Sequence, residues 1–170
     1  QVHVFPAFTK AEELLAINPD GIFMSPGPGN PQDVPEIIDN VKKLIGKKPI
    51  FGICMGIQLI SIALGAKTFK LPFGHRGSNH PVKDLRTGRV YITSQNHGYA
   101  VSDEGLPNDI EVILRSVNDG TIEGIKHKTL PIQAIQYHPE AAPGPTDNLY
   151  LFKEFTKMME DNLSLIHISE

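Results

Sequence analysis

Apolar residues in the first 65 positions form two kinds of segment, short continuous runs and longer runs with helical spacing. The runs GIFMS (21–25) and PIFGI (49–53) are nearly unbroken, which is typical of strands buried on both faces of a parallel sheet. In EIIDNVKKLIG (36–46) and MGIQLISIALG (55–65) the apolar residues recur with the helical period, and each segment stops at a glycine. These two segments are therefore predicted to be helices.

The beginning of the chain extends this alternation. QVHVFPA (1–7) predicts a short strand, and TKAEELLAIN (9–18) predicts a helix with Thr9 as its N-cap. The elements then follow one another as strand, helix, strand, helix, strand, helix. That order predicts a doubly wound, mostly parallel sheet with helices on both of its faces.

The second half of the chain has a different pattern. A β-hairpin is predicted in each of two segments, HPVKDLRTGRVYITSQ (80–95) and EVILRSVNDGTIEGIKHK (111–128). In both, two strand-like runs flank a turn that contains glycine. PIQAIQYHPE (131–140) predicts a further strand, and DNLYLFKEFTKMMED (147–161) predicts a closing helix. The predicted fold class is therefore one α/β domain, a mostly parallel sheet with flanking helices and an antiparallel excursion.

Composition narrows the classes of function. The chain has 170 residues, 40% hydrophobic and 21% charged, with a net charge of −3, and this gives no reason to expect nucleic acid or an anionic membrane as a partner. No apolar run reaches the roughly 18 residues that a membrane-spanning helix needs. One cysteine cannot form an internal disulfide, which fits a reducing compartment, and we expect the cytoplasm.

The single cysteine lies between a predicted strand and a predicted helix. Gly52 lies two residues before Cys54 and Gly56 two residues after it, which is the spacing of a nucleophile elbow. Small residues are needed there because neighbouring backbone passes too close for a side chain. A cysteine at a helix N-terminus is also favoured as thiolate. A buried structural cysteine remains open at this point, since free cysteine is among the most buried residue types.

A cysteine that attacks an amide needs a base, and the segment QYHPEAAPG offers one. His138 and Glu140 are two residues apart, so on extended backbone their side chains point the same way. A carboxylate beside an imidazole fixes its tautomer and stabilises the imidazolium. His-x-Glu also occurs by coincidence, but both the elbow and this motif follow apolar strands, where open α/β sheets gather their ligand sites.

Two further segments add polar groups. In SPGPGNP, Gly27 and Gly29 can present backbone N–H groups to an oxyanion together with the N–H of Met55, although an ordinary proline-stiffened turn is the simpler interpretation. No Gly-Lys-Ser/Thr follows, which argues against a nucleotide P-loop. SQNHGYAV contributes Asn96 and Gly98 at the end of a strand.

Three histidines raise the question of a metal site. His75, His80 and His97 fall in the same stretch of the chain, but no two histidines are three or four residues apart and no Cys-x-x-Cys is present. We therefore expect no metal.

Taken together, these residues resemble a known family. Cys54 in FGICMGIQ, GPGNP upstream and HPE downstream resemble the class I, triad-type glutamine amidotransferases. GAKTFKLPFGHRGSNHPVKDL (65–85) and TSQNHGYAV (93–101) narrow the resemblance to the small, glutamine-hydrolysing chains of carbamoyl-phosphate synthases. It covers about residues 1–160, the expected amidotransferase domain, whereas 161–170 continue nothing in the family pattern and are expected to be a disordered tail.

The resemblance implies a glutaminase half-reaction. Cys54 would be the nucleophile, His138 the acid and base, and Glu140 the group that orients His138. Backbone N–H groups near Gly29 and Met55 would hold the oxyanion. Carried over position by position, the residues expected to line the glutamine pocket are Gly27, Gly29, Met55, Gln58, Asn96, Gly98 and Tyr99.

The resemblance also implies a partner. Ammonia would pass through a tunnel to a large synthetase subunit, which would use bicarbonate, ATP and Mg to form carbamoyl phosphate for arginine and pyrimidine biosynthesis. No cofactor is expected in this chain, and neither nucleic acid nor a membrane is an expected partner. The alternatives are another triad amidotransferase, a cysteine hydrolase of other amides or esters, and a non-catalytic or inactive binding module of the same fold.

Two departures from the family pattern are visible. Ile57 stands where the family usually has histidine, next to the glycine of the elbow, but that position is not a triad member. The family's small chains carry a separate N-terminal domain, and then a first strand and helix of the amidotransferase domain, ahead of the position that matches Gln1. We therefore expect a domain that lacks its first strand and helix, including one serine of the pocket.

Overall fold

A single mixed β-sheet with helices on both faces organises the protein. The computed structural model describes residues 1–141 and 148–168. The strands are β1 (Ile22–Met24), β2 (Ile50–Ile53), β3 (Thr68–Asp84), β4 (Val90–Val101), β5 (Ile110–Ser116), β6 (Ile122–His127) and β7 (Ile132–Ile135). The α-helices are α1 (Ala11–Ala16), α2 (Pro35–Leu44), α3 (Met55–Ala63) and α4 (Tyr150–Ile168), with a 3-10 turn at Pro31–Asp33.

The seven strands lie in the order β1-β2-β7-β6-β5-β3-β4. The pairs β1–β2 and β2–β7 are parallel, and the remaining four pairs are antiparallel. The carboxyl ends of β1, β2 and β7 therefore lie side by side at one edge of the sheet. In an open α/β sheet this edge is where ligands bind.

The predicted α/β class with flanking helices and an antiparallel excursion is confirmed, but the sheet is not mostly parallel. Within the described residues, two strand pairings are parallel and four are antiparallel. The reason is the short connections in the second half of the chain, because a short turn can join only antiparallel neighbours. Both predicted hairpins are present, β3 with β4 and β5 with β6.

Three further predictions differ from the structure. Residues 1–6 form no strand, and Val2 and Val4 are almost fully exposed. Helix α1 begins at Ala11, with Lys10 rather than Thr9 at its N-cap. Residues 161–168 continue α4 instead of forming a disordered tail, because extending a helix that is already nucleated costs little per residue.

The buried strand β2 divides the core into two layers. Its burial is complete along its length, and successive side chains alternate between the faces of the sheet. Ile50 packs in the layer that includes residues of α1, α2 and α3, whereas Phe51 packs in the layer that includes Leu151 of α4. None of the helices in the described part is long and apolar enough to cross a membrane.

We predict that Phe51→Ala lowers the free energy of unfolding by about 3–5 kcal/mol. Phe51 is fully buried, and its ring lies 5.9 Å from that of Phe23 and 5.3 Å from that of Phe155, centroid to centroid. Urea titration measures the loss. Phe73→Ala is the matched control, because Phe73 is 92% exposed and its truncation should change stability by less than about 0.5 kcal/mol. Equal losses in the two variants would contradict this account of the core.

Candidate active site

Cys54 occupies a one-residue turn between β2 and α3. Strand β2 ends at Ile53, helix α3 begins at Met55, and Cys54 between them has φ 56° and ψ −105°. Within the described residues, only Asn18 shares a positive φ among those other than glycine. This strained conformation is what the nucleophile elbow predicts.

The two glycines of the elbow are required by close approach of backbone. A Cβ on Gly56 would lie 2.5 Å from the carbonyl oxygen of Met24 in β1. A Cβ on Gly52 would lie 2.6 Å from Ile60 Cδ1 and 2.8 Å from the carbonyl carbon of Gly56. Helix α3 therefore packs against β1 and β2 with no room for a side chain at either position.

His138 and Glu140 lie beyond the carboxyl end of β7, next to the elbow. The N–H of His138 donates to the carbonyl of Ser94 at 2.9 Å, which fixes the backbone. The ring Nδ1 of His138 lies 2.7 Å from Glu140 Oε1. Interaction with the Cys54 thiol, and then with the Glu140 carboxylate, raises the pKa of His138 to about 10. Since Nδ1 is engaged by Glu140, Nε2 is the nitrogen available to the sulfur.

Cys54 and His138 open into the same cavity. Cys54 is only 4% exposed, yet it lines a hollow of about 410 Å³. Its thiol lies 3.8 Å from the carbonyl oxygen of Asn96. The other residues around the hollow are Pro26, Gly27, Pro28, Gly29, Gln58, Arg76, Asn96, His97, Gly98 and Tyr99. The structure thus brings together the predicted cysteine and histidine and most of the predicted pocket.

Two predicted pocket residues need a closer description. Met55 is buried and does not line the hollow, so it can contribute only its backbone N–H, which is free of an intrahelical acceptor at the first position of α3. Gln58 lines the hollow, but its Nε2 donates to the carbonyl of Tyr99 at 3.0 Å and to Gln136 Oε1 at 3.1 Å. Gln58 therefore also ties α3 to the strands around it.

Arg76 and His97 line the hollow and were not predicted to do so. Both lie on the β3–β4 hairpin, whose register shifts between Lys70 and His75 and again between Gly77 and His80. Such bulges bend strands and redirect side chains, and a pattern of alternating residues does not reveal them. His97 lies between the predicted pocket residues Asn96 and Gly98 in the sequence. That position was the available sign that His97 could also line the hollow.

The histidines of this region lie closer together than their sequence spacing indicated. The ring centroid of His75 lies 4.9 Å from that of His97 and 5.5 Å from that of His80. With Glu123, His75 and His97 place ligand-type atoms within 4.8 Å of one another. Both nitrogens of His97 are already engaged, at 2.7 Å with the carbonyl of Tyr99 and at 2.6 Å with Gln95 Oε1. The expected absence of a metal stays a prediction.

Comparison with known proteins agrees with this geometry. The family model described as glutamine amidotransferase class-I matches residues 1–158. The chain belongs to the class I glutamine amidotransferase family. Ile57, the departure from the family's usual histidine, is fully buried in the core and does not line the hollow.

Curated relatives of this amidotransferase are longer proteins. The carbamoyl phosphate synthase small chain of Akkermansia muciniphila is 62% identical over 159 residues, which is 94% of this chain and 43% of that protein. The small chain of Clostridium perfringens is 59% identical over 92% of this chain and 44% of that protein. The chain thus spans less than half the length of these relatives.

Solved structures support the same fold. A protein of Thermoplasma acidophilum described as part of a putative GMP synthase is similar with a TM-score of 0.84 and 25% identity, over 97% of this chain and 84% of that chain. A glutamine amidotransferase of Thermotoga maritima has a TM-score of 0.58 at 18% identity, over 86% of this chain and 65% of that chain. The second likeness concerns the fold alone.

We predict that Gly56→Ala destabilises the amidotransferase by about 1–3 kcal/mol, although alanine is the better helix former. The added Cβ would lie 2.5 Å from the backbone oxygen of Met24, so β1 and α3 must move apart. Thermal and urea unfolding measure the loss. Gly27→Ala is the control for stability, because its Cβ would make an ordinary contact at 3.7 Å with Met55. An unchanged stability in Gly56→Ala would contradict the close approach.

We predict a pH-dependent contribution of His138 to stability. Its pKa is about 10 in the folded protein, and an unfolded histidine titrates near 6.5. The contribution is therefore fully present below about pH 6.5 and is lost as the pH rises through about 10. The difference in unfolding free energy between the unsubstituted protein and His138→Asn should shrink across this range. Glu140→Gln should show part of the same change, and a constant difference would contradict the raised pKa.

Proposed function

We propose that the chain is the glutamine-hydrolysing part of a carbamoyl-phosphate synthase small chain, with Cys54 as its nucleophile. The observation that carries the proposal is the strained elbow of Cys54, opening into a cavity beside His138, which is itself paired with Glu140. The similarity to curated small chains supports the choice among amidotransferases. Because the chain spans less than half of those relatives, the activity of the whole protein is part of the proposal.

The proposed reaction begins with attack of the Cys54 sulfur on the side-chain carboxamide of glutamine. The carbonyl oxygen becomes an oxyanion, which backbone N–H groups of Gly29 and Met55 stabilise. His138 gives a proton to the departing ammonia and leaves a γ-glutamyl thioester on the sulfur. The same imidazole then takes a proton from water, whose oxygen attacks the thioester and releases glutamate. Glu140 holds the ring through Nδ1 at 2.7 Å, so that Nε2 carries these transfers.

The cavity wall offers the polar groups that a glutamine would need. Gly27 and Gly29 follow β1, whereas Asn96, Gly98 and Tyr99 belong to β4, so the substrate would lie between a loop and a strand. Gln58 stands on the first turns of α3, close to the sulfur. With a glycine loop on one side and polar side chains on the other, the main chain could contact the reacting carboxamide while side chains contact the rest of the substrate.

A second hollow supports a route for the ammonia. It measures about 400 Å³ and shares Arg76, Asn96 and His138 with the first, so the two meet at the proposed acid and base. We propose that ammonia leaves on this side toward a large synthetase subunit that binds ATP and Mg, with no cofactor in this chain. Free ammonia at neutral pH becomes ammonium, which cannot attack. The second hollow is open to the surface, so the proposal requires the large subunit to cover it and close the route.

The remaining parts of the proposal follow from the small-chain assignment. Carbamoyl phosphate formed by the complex would enter arginine and pyrimidine biosynthesis, and the single cysteine fits a cytoplasmic protein. Another triad amidotransferase is the main rival. The identity of 62% to a carbamoyl phosphate synthase small chain, against 25% to the structure described as part of a GMP synthase, favours the first assignment.

The test is glutamate release from glutamine, with and without a large synthetase subunit. Cys54→Ser should reduce turnover by about 10³-fold or more, because the nucleophile is lost. Glu140→Gln should reduce it by at least about tenfold, because the orienting carboxylate is lost. Glu104→Gln makes the same chemical change at an exposed ion pair with Lys67 and should leave turnover unchanged.

Three outcomes would contradict the proposal. Equal turnover by the unsubstituted protein and by Cys54→Ser would exclude Cys54 as the nucleophile. No glutamate from either protein, even with the large subunit, would favour a non-catalytic module. Glutamate release without any carbamoyl phosphate in the complex would favour another triad amidotransferase.

A further inference from the structure

A chain of buried polar side chains runs from the middle of the sheet to the wall of the active-site cavity. It begins at Glu123 on β6, passes through Gln95 and His97 on β4, and reaches the Tyr99 carbonyl and Gln58. The exposed fraction is 0% for Glu123, 4% for Gln95 and 6% for His97. Only His97, Tyr99 and Gln58 line the cavity, so Glu123 has no direct access to a substrate there.

Every link in this chain is a short contact between polar atoms. Gln95 Nε2 donates to Glu123 Oε2 at 2.9 Å and to Thr93 Oγ1 at 3.1 Å. Gln95 Oε1 lies 2.6 Å from His97 Nε2, and His97 Nδ1 lies 2.7 Å from the carbonyl oxygen of Tyr99. The same carbonyl accepts from Gln58 Nε2 at 3.0 Å. Gln95 is therefore the connection between the buried carboxyl and the cavity wall.

Counting donors shows that these groups depend on one another. Both ring nitrogens of His97 face oxygen atoms, but a neutral imidazole has a single N–H and can donate to only one of them. Burial lowers the pKa of His97 to about 4, so the ring is neutral at neutral pH. The orientation of the Gln95 amide therefore decides whether the ring proton is on Nε2 or is donated from Nδ1 to Tyr99.

Glu123 and the Thr93 hydroxyl together hold that orientation, since both accept from Gln95 Nε2. With an ionised Glu123, the amide N–H₂ of Gln95 faces the carboxylate and its oxygen faces His97. With a protonated Glu123, the amide can turn, accept from the carboxylic O–H and donate to His97 Nε2, which leaves Nδ1–H for the Tyr99 carbonyl. Burial raises the pKa of Glu123, whereas the His75 ring, with Nδ1 at 3.4 Å from Oε1, and the Gln95 amide oppose this. In either protonation state, the side chain at position 123 determines whether the oxygen or the nitrogen of the Gln95 amide faces His97.

We propose that Glu123 and Gln95 are positioning residues of the active-site cavity, which fix the tautomer and the orientation of the His97 ring in its wall. The proposal rests on the proposed function, in which that wall binds glutamine. It assigns a role to a carboxyl group that lies behind the cavity. The hydrogen bonds of Glu123 carry this role, so a side chain of the same shape that can both donate and accept should replace it.

The first test compares two substitutions at position 123. Glu123→Gln keeps the size and the hydrogen-bonding capacity, and its KM for glutamine should stay within about twofold. Glu123→Leu removes one of the two acceptors of Gln95 Nε2, and its KM should rise about tenfold, the effect of one lost hydrogen bond. Its kcat should change less than threefold, because Cys54 and His138 are held by other elements. An unchanged KM in the folded leucine variant overturns the proposal.

Asp84→Leu is the matched control for lost stability. Asp84 is another buried carboxylate, 1% exposed, but it pairs with Arg86 at 2.8 Å outside the chain of contacts. Both leucine variants should lower the melting temperature, and only Glu123→Leu should raise the KM. An equal rise in KM for Asp84→Leu would show that general destabilisation is the cause, which overturns the proposal.

A double-substitution cycle tests the path. Gln95→Met cuts the connection between Glu123 and His97 and should raise the KM about as much as Glu123→Leu does. The two changes together should raise the KM no further than either alone, since they break the same chain. Independent, multiplying effects would overturn the path through Gln95. Gln95→Met also provides the comparison if Glu123→Leu does not fold.

Nitrogen chemical shifts of the His97 ring separate this proposal from the proposed function. The full chain is labelled with ¹⁵N-histidine, and the His97 signals are identified by their loss in His97→Asn. Distinct Nδ1 and Nε2 shifts, one protonated and one not, are expected for the unsubstituted protein and for Glu123→Gln, and averaged shifts for Glu123→Leu. Identical shifts in all three overturn the positioning role. If the unsubstituted protein releases no glutamate, the proposed function fails, and these shifts still decide the role of Glu123.

Discussion

The packing of helix α3 against strands β1 and β2 is the contact on which the site depends. Gly56 passes so close to the Met24 carbonyl, and Gly52 so close to the backbone of Gly56, that neither position has space for a Cβ. This approach lets the chain pass from strand to helix within one residue, and Cys54 takes a positive φ to make the turn. Such a conformation costs of order 1–3 kcal/mol, and it persists because the fully buried strand β2 allows no other path.

The parallel and antiparallel parts of the sheet contribute different things to the cavity. The loop with Gly27 and Gly29, the elbow of Cys54 and the segment of His138 follow the carboxyl ends of three neighbouring parallel strands. The opposite wall, including Tyr99, comes from the β3–β4 hairpin. Parallel strands can align reacting groups at one edge, whereas only a bent hairpin can bring a strand across that edge to meet α3.

Sequence patterns could predict the elements that depend on local periodicity. The elbow glycines, the buried strand before Cys54 and the pairing of His138 with Glu140 all follow from spacing along the chain. The positions of Arg76 and His97 in the cavity wall lie beside two register shifts in the β3–β4 hairpin, and alternation along a strand does not show a bulge. The extent of the antiparallel pairing was underestimated for a similar reason, since strand order depends on contacts between distant segments.

The two histidines of the cavity have opposite environments, and this difference separates their roles. His138 lies against Cys54 and Glu140, and its pKa is raised to about 10, which suits the proton donation proposed for it. His97 is buried among amide and carbonyl groups, and its pKa is lowered to about 4. A neutral ring whose nitrogens both face oxygen atoms would not compete for the proton in the proposed reaction of Cys54 and His138. The proposed action of Glu123 on the cavity wall therefore leaves the proposed acid and base unaffected.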